Sequence, residues 1–334
     1  MTEQTQLAWD IIETTNTNLF LTGKAGTGKT TFLRRLKEES SKRIVVVAPT
    51  GIAAINAEGV TIHSFFQLSF APFIPNYNLK EQQFRFSKQK INVIRSIDTL
   101  VIDEISMVRA DLLDAVDSVL RRFRKNNLPF GGVQMVMIGD LGQLAPVAKD
   151  DEWQMLSRYY ATPYFFSSLA LQRTRYAIVE LTKVYRQSDK RFLDILNKVR
   201  ENRADAAVLS ALNSRYIPGF KPRKEDGYIR LTTHNWQAQR INDHELELLP
   251  GKPYTYTATI EGKYPEMLFP TDETLTLKTG AQVMFVKNDS SADKAYYNGM
   301  IGTIAAIDAE GFTVTAKDTG ENIRVQPEQW DNTR

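Results

Sequence analysis

Cysteine is absent from this 334-residue chain, and histidine occurs only three times, at His63, His234 and His244. The first absence excludes disulfides and thiolate metal centres, and the scatter of the histidines argues against a structural zinc site. An excess of one charge is also missing. Lys and Arg number 42 against 39 Asp and Glu, so a polyanionic partner would have to be met by a local basic patch rather than by a global field. No apolar run approaches the roughly 18 residues of a membrane span, and the N-terminus lacks a basic stretch followed by an apolar core. A soluble, cytoplasmic protein with no targeting signal and no membrane partner is expected. Internal repeats and low-complexity tracts are missing too, and the length is that of two or three domains, each with its own core.

What is present is an alternation of strands and helices. Short apolar runs recur at Leu19-Phe20-Leu21, Ile44-Val45-Val46-Val47, Leu100-Val101-Ile102 and Met135-Val136-Met137-Ile138. Each ends in a Gly, Pro or Asp turn, the pattern of buried parallel strands. Between them, Phe32, Leu33 and Leu36 mark one helix, and Leu112, Val116, Val119, Leu120 and Phe123 keep one face of another from Asp111 to Lys125. The reading is an α/β, doubly wound domain over residues 1–168. Residues 69–92, with Pro72, Pro75, Asn76, Asn78 and a cluster of Gln and Lys, break the rhythm and read as an insertion. A second α/β pattern is expected from about residue 169. Its elements are a strand at Ile178-Val179-Glu180-Leu181, a helix from Arg191 to Arg200, a strand from Tyr228 to Leu231 and a helix from Asn235 to Leu249. From Thr274 on, short alternating runs punctuated by Gly299, Gly302 and Gly311 suggest a small β-barrel or hairpins.

Four motifs in order carry the chemistry. Gly23-Lys24-Ala25-Gly26-Thr27-Gly28-Lys29-Thr30 follows a strand and opens a helix, the context a phosphate loop requires. Glycines let successive backbone N–H groups turn toward a phosphate, and the helix N-terminus adds a favourable dipole. Lys29 is expected to reach the β- and γ-phosphates of ATP, and the Thr30 hydroxyl to coordinate Mg²⁺, with Thr31 beside it in the nucleotide-binding set. Asp103-Glu104 closes a strand at the carboxyl edge where doubly wound sheets bind ligands. Asp103 suits the second Mg²⁺ contact, and Glu104 suits orienting and deprotonating an attacking water. Gly139-Asp140-Leu141-Gly142-Gln143 ends the next strand and puts Gln143 where an amide would feel the γ-phosphate. Arg186, in Tyr185-Arg186-Gln187, is a candidate arginine finger, presented across a cleft by the second domain.

With these motifs in place, the chain resembles the superfamily-one DNA helicases of the 5′-to-3′ branch. It is most similar to the Pif-type (petite integration frequency) helicases, with RecD-type helicases as cousins. Ala48-Pro49-Thr50-Gly51-Ile52-Ala53-Ala54 and Thr61-Ile62-His63-Ser64-Phe65 look like that family's single-strand-binding segments. Ser106-Met107-Val108 through Asp111-Leu112-Leu113-Asp114 looks like the stretch that marks its Pif-type branch. Thr232-Thr233-His234-Asn235, Gly280-Ala281-Gln282-Val283-Met284 and Asn298-Gly299 resemble segments of its second motor domain. The resemblance implies two RecA-like domains, 1–168 and 169–300, with a small wedge insertion at about 67–92 and the start of an SH3-like β module at 301–334. It implies that Gln4 or Gln6 reads adenine, the spacing leaving both open. It further implies that Thr50, Gly51, His63 and Ser64, joined by Thr233, His234 and Asn235, touch DNA, and that Arg186 is the finger. The implied activity is ATP-dependent translocation on single-stranded DNA and unwinding at single-strand/duplex junctions by a monomer, with the direction of travel coming from the resemblance alone.

One departure stands out. The family pattern continues with a His-x-x-Gln-Gly segment and a Ser-Arg segment; His234-Asn235-Trp236-Gln237-Ala238 is the nearest string, and it sits early and lacks the glycine. A C-terminally truncated helicase is therefore expected, with its second motor domain incomplete. An ATP-gated single-strand clamp without motor activity is the alternative from another class. A small-molecule kinase is a weaker rival, because a kinase has no use for the water-orienting Glu104.

Overall fold

A computed structural model describes residues 2–75, 86–185, 189–221, 223, 228–261, 271–287, 289, 291, 295–297 and 299–329. They form two compact units that divide between Tyr216 and Ile217.

The first unit is built on a six-stranded sheet. Its strands are β1 (Asn18–Gly23), β2 (Ile44–Ala48), β3 (Val60–Thr61), β4 (Thr99–Ile102), β5 (Gln134–Gly139) and β6 (Tyr176–Leu181). They lie in the order β3-β2-β4-β5-β1-β6, every neighbouring pair parallel. Successive side chains leave a strand on opposite faces, and here both faces are covered. Leu19 and Leu21 of β1 join Val101, Val136 and Ile138 in one core, against Ala8 and Ile12 of helix α1 (Glu3–Thr14) and Phe32, Leu33 and Leu36 of α2 (Lys29–Glu39). Phe20 points the other way, with Leu100, Ile102, Met135 and Met137, into a second core. The short helices α3 (Gly51–Asn56) and α4 (Ile62–Phe66) follow β2 and β3. The second core is closed by α4, α5 (Lys88–Ser96) and α6 (Ala110–Arg124).

The strand expected to open a second domain is the edge strand β6, in register with β1 from Asn18↔Tyr176 to Gly23↔Leu181. The boundary expected at residue 168 is therefore not there. Period-2 apolar runs identify a strand but not the sheet it joins, and β1 had an open edge that β6 fills. Helices α7 (Asp150–Leu156), α8 (Leu169–Gln172), α9 (Lys190–Arg200) and α10 (Ala206–Asn213) complete this unit. The expected insertion also contracts: from Lys88 on the chain is α5, whose Ile94 is fully buried, and Phe73 and Phe86 pack on the second core. Residues 76–85 of that stretch lie outside the described residues.

Buried carboxylates stitch the long stretch after β4. Asp114 on α6 accepts from the Tyr160 hydroxyl at 2.9 Å, the Ser168 hydroxyl at 2.5 Å and the backbone N–H groups of Leu169 at 3.0 Å and Ala170 at 2.9 Å. Asp111, one turn earlier, accepts from the Phe73 N–H at 3.0 Å and two Arg109 nitrogens at 2.8 and 2.9 Å. Buried carboxylates persist only when their oxygens are filled in this way.

In the second unit, α11 (Asn235–Leu248) matches the expected helix. Tyr228 to Leu231 form no strand and are exposed, because no parallel partner lies alongside among the described residues. The strands β7 (Tyr254–Thr257) and β8 (Thr274–Leu277) pair antiparallel. Then β9 (Gln282–Met284), β10 (Ile301–Asp308), β11 (Gly311–Ala316) and β12 (Asn322–Val325) form an antiparallel sheet in the order β12-β11-β10-β9. Its core holds Phe285, Met300, Val314, Ala316 and Ile323, so the small β module recruits a strand from before residue 301.

Candidate functional site

The carboxyl edge of the parallel sheet gathers the phosphate loop and three carboxylates. Gly23 ends β1 at φ 152°, and a Cβ there would lie 2.6 Å from the Leu181 carbonyl and 2.7 Å from Thr27 Oγ1, so only glycine fits. Gly28 sits left-handed at φ 92° as the residue before α2, which opens on Lys29. Thr27 donates its hydroxyl to the Lys24 carbonyl at 2.8 Å and fixes the turn. Thr30 and Thr31 lie exposed on the first turn of α2, and Ala25 and Gly26 form the crest of the loop. Lys29 Nζ donates to the carbonyls of Gly23 at 2.6 Å and Lys24 at 3.1 Å, folding back over the loop.

Burial pulls the Lys29 ammonium below the usual lysine range, against the opposing attraction of Asp140, Glu104 and Asp103. Burial pushes the Asp103 carboxyl up to about 6, with the Glu104 charge adding and the Glu104 N–H and Lys29 opposing. Glu104 stands left-handed at φ 51°, before a 3₁₀ turn, Ile105–Met107. A side-chain-bearing residue rarely adopts that region, and such strain concentrates where a side chain must be aimed.

Asp140, almost wholly buried, ends β5 and organises the loop after it. It accepts from the Gly142 N–H at 2.9 Å, from Gln143 Nε2 at 3.0 Å and from Arg200 Nη1 at the end of α9. Burial works to raise this carboxyl, but Arg200, Gly142 and Gln143 together hold it below the usual carboxylate range. Lys24 of the phosphate loop pairs with Glu201 at 3.2 Å. Arg186 lies outside the described residues; its neighbour Tyr185 donates its backbone N–H to the Gly26 carbonyl at 2.8 Å.

Beside this edge is a groove of about 270 Å³, lined by Thr50, His63, Phe70, Arg109, Asp111 and Val147 among others. His63 stacks on Phe70 with ring centroids 4.4 Å apart and planes 13° from parallel. Burial, then the charge of Arg109, lowers the His63 pKa, with Asp111 opposing. Arg109 is held by Asp111 and by Glu152 at 2.6 Å. Thr50 Oγ1 accepts from the Ala53 N–H at 3.2 Å, Gly51 opens α3, and the Ser64 N–H is capped by Thr61. On α1, Gln6 is exposed and donates to Asp10 at 2.7 Å, while Gln4 is half-buried. Thr233, His234 and Asn235 lie exposed in the second unit, where His234 precedes α11 and its Nδ1 lies 2.8 Å from Thr233 Oγ1. Arg109, Phe70 and Arg200 escaped the motif reading. The one signal for Arg109 was its place two residues before Asp111, inside the stretch that marks the branch.

A doubly wound parallel sheet with a phosphate loop after its first strand, and acidic residues just past the ends of β5 and β4, the next two strands on one side of it, defines a P-loop nucleotide-binding protein of RecA-like motor fold. A family model described as PIF1-like helicase matches residues 2–208. The ATP-dependent DNA helicase Pif1 of Psychrobacter sp. (strain PRwf-1) is 37% identical over 324 residues, 92% of this chain and 46% of that relative. Among solved structures, Pif1 helicase from Bacteroides in complex with ADP-AlF3 and ssDNA has a TM-score of 0.84 and 40% identity, over 100% of this chain and 76% of that one. A structure of forked dsDNA unwinding by two coordinating Pif1 helicases has a TM-score of 0.84 and 42% identity, over 100% of this chain and 78% of that one. The chain belongs to the PIF1-like helicase family. It spans less than half the length of the Psychrobacter relative.

Proposed function

We propose that this chain carries the motor of an ATP-dependent, 5′-to-3′ DNA helicase that moves along single-stranded DNA and unwinds duplex at single-strand/duplex junctions. The carrying observation is a phosphate loop between β1 and α2 with Asp103-Glu104 and Asp140 just past the ends of β4 and β5 at the same carboxyl edge of the sheet, and the Thr50 and His63 groove in the same unit. Lys29 leaves the Gly23 and Lys24 carbonyls for the β- and γ-phosphates, and the loop N–H groups take the phosphate oxygens. Glu104 orients a water and accepts its proton as the water oxygen bonds to the γ-phosphorus; the bond to the bridging oxygen breaks, and ADP leaves with the electron pair. Gln143 reports the γ-phosphate, and Arg186 stabilises charge on the transferring group.

One carboxylate, Asp103, and one hydroxyl, Thr30, fit Mg²⁺, which favours few protein oxygens and fills its octahedron with phosphate oxygens and water. When bound, the ion neutralises charge developing on the β- and γ-phosphates. Thr50, Gly51, His63 and Ser64 are proposed to hold the strand, together with Thr233, His234 and Asn235 of a second motor domain that carries the β module. Gln4 or Gln6 is proposed to read adenine. One chain is proposed as the working unit, inside the cell. Nucleotide and DNA use is supported by the relatives, one solved with ADP-AlF3 and ssDNA and another on forked dsDNA, where two helicases coordinate.

The test is steady-state ATP hydrolysis by the chain and by Glu104→Gln, with and without saturating oligo-dT. Strong stimulation that Glu104→Gln abolishes is expected. DNA binding with turnover at background would instead make the chain a nucleotide-gated clamp.

A further inference from the structure

We propose that Arg200 is a positioning residue for γ-phosphate recognition: it fixes the Asp140 carboxylate, through which the Gln143 carboxamide is aimed. The proposal rests on the nucleotide-hydrolysis reading of this site. Arg200 ends α9, where a cation is favoured by the helix dipole, and its guanidinium reaches 60 residues back to Asp140 Oδ2. The same oxygen accepts from Gln143 Nε2 at 3.0 Å, and the other oxygen from the Gly142 N–H at 2.9 Å. Both oxygens of a buried carboxylate are thus committed, one of them shared by the sensor amide and Arg200.

Three further observations make this a built contact rather than a chance meeting of surface groups. Asp140 has only 1% of its side chain exposed and Arg200 25%, so solvent screens the pair weakly. A Cβ on Gly142 would stand 2.7 Å from both Cζ and Nη1 of Arg200, so the loop carries no side chain where the guanidinium lies. The next residue, Glu201, pairs with Lys24 at 3.2 Å. The end of α9 therefore clasps the Asp140 loop with one residue and the phosphate loop with the next. A γ-phosphate entering there would meet Gln143 already oriented, and α9 would register its arrival.

The test uses the full chain and compares Arg200→Gln, Arg200→Lys and Gly142→Ala with the parent. The first readout is the ratio of ATPγS to ADP affinity, by competition against a fluorescent mant-nucleotide. The second is kcat and KM for ATP with saturating oligo-dT, and the third is the melting temperature. Loss of one charge-assisted contact should lower the affinity ratio by about 10-fold in Arg200→Gln. A misaimed amide should cost about 10- to 100-fold in kcat with little change in KM. Gly142→Ala leaves Arg200 in the sequence but pushes its flexible end aside, so it should give the same loss with an unchanged melting temperature. Arg200→Lys should recover part of it. An unchanged ratio and kcat in Arg200→Gln and Gly142→Ala would overturn the proposal, as would a lowered melting temperature with the ratio intact, or a parent that binds both nucleotides equally. If the parent discriminates the nucleotides but shows no DNA-stimulated turnover, the helicase reading fails for this chain while the affinity ratio still decides the role of Arg200.

Discussion

Glu104 is the residue at which local strain and chemistry coincide. Its left-handed backbone, φ 51°, turns the chain sharply after β4, so that Asp103 stays at the strand end and Glu104 projects separately. Replacing its carboxylate by an amide keeps the size and removes the base. Glu104→Gln should therefore lower kcat by about 10²- to 10⁴-fold and leave mant-ADP affinity near the parent value; an equal loss of affinity would move the residue from hydrolysis to loop folding. A second residue-scale prediction concerns pH. The Arg43 side chain, through its hydrogen bonds, holds the Asp98 carboxyl down to about 2, with N···O distances of 2.8 and 2.7 Å. A carboxyl depressed on folding stabilises the fold above its unfolded pKa of about 4, and the contribution fades as pH falls toward 2. Arg43 is largely exposed, so solvent screening keeps the whole effect below about 1 kcal/mol. Asp98→Asn should thus melt slightly below the parent at pH 6, with the gap closing only as pH falls through about 2, in paired thermal scans.

At the scale of elements, α6 does more than cover the sheet. Its Asp114 takes two hydroxyls and two backbone N–H groups from residues 160–170, tying the approach to β6 onto the second core. Asp114→Ala would strand four donors in a dry site; at about 1–3 kcal/mol for each unsatisfied group, partly relieved by relaxation, a loss of at least about 3 kcal/mol is expected. Urea denaturation checks this, and a loss under 1 kcal/mol, roughly a surface substitution, would show that water replaces the carboxylate. Four strands of the parallel sheet, β1, β2, β4 and β5, were legible because burial on both faces writes them as unbroken apolar runs, and α6 because one apolar face repeats; the two-residue β3 was too short to read. The phosphate loop, Asp103, Glu104 and Gln143 were legible because their spacing from a strand end is itself the constraint. Arg200 and Arg109 were not, since an arginine looks the same in sequence whether it meets water or a buried carboxylate; Arg200 finds Asp140 only through the fold. The role of β6 was hidden for a related reason, because a short, largely apolar strand does not name its neighbour.

For the whole molecule, the consequence of β6 joining the first sheet is that everything converging on Lys29 belongs to one unit. β1, α2, β4, β5, β6 and α9 all fall before residue 217, and two separate buried clusters pack on the two faces of their sheet. A unit with its own two-sided core should fold alone, and a phosphate loop braced by Gly23 against Leu181 needs β6 but no residue beyond α9. Residues 2–216 expressed by themselves should therefore melt cooperatively and bind mant-ADP with an affinity within about threefold of the full chain, a difference of under about 1 kcal/mol. DNA-stimulated turnover should not survive the cut, because Thr233, His234 and Asn235, proposed above as strand contacts, lie in the second unit. A fragment that hydrolyses ATP at the full DNA-stimulated rate would place strand sensing wholly in the groove of Thr50, His63 and Phe70, and a fragment that folds but binds no nucleotide would show that the phosphate loop is set by residues beyond Tyr216.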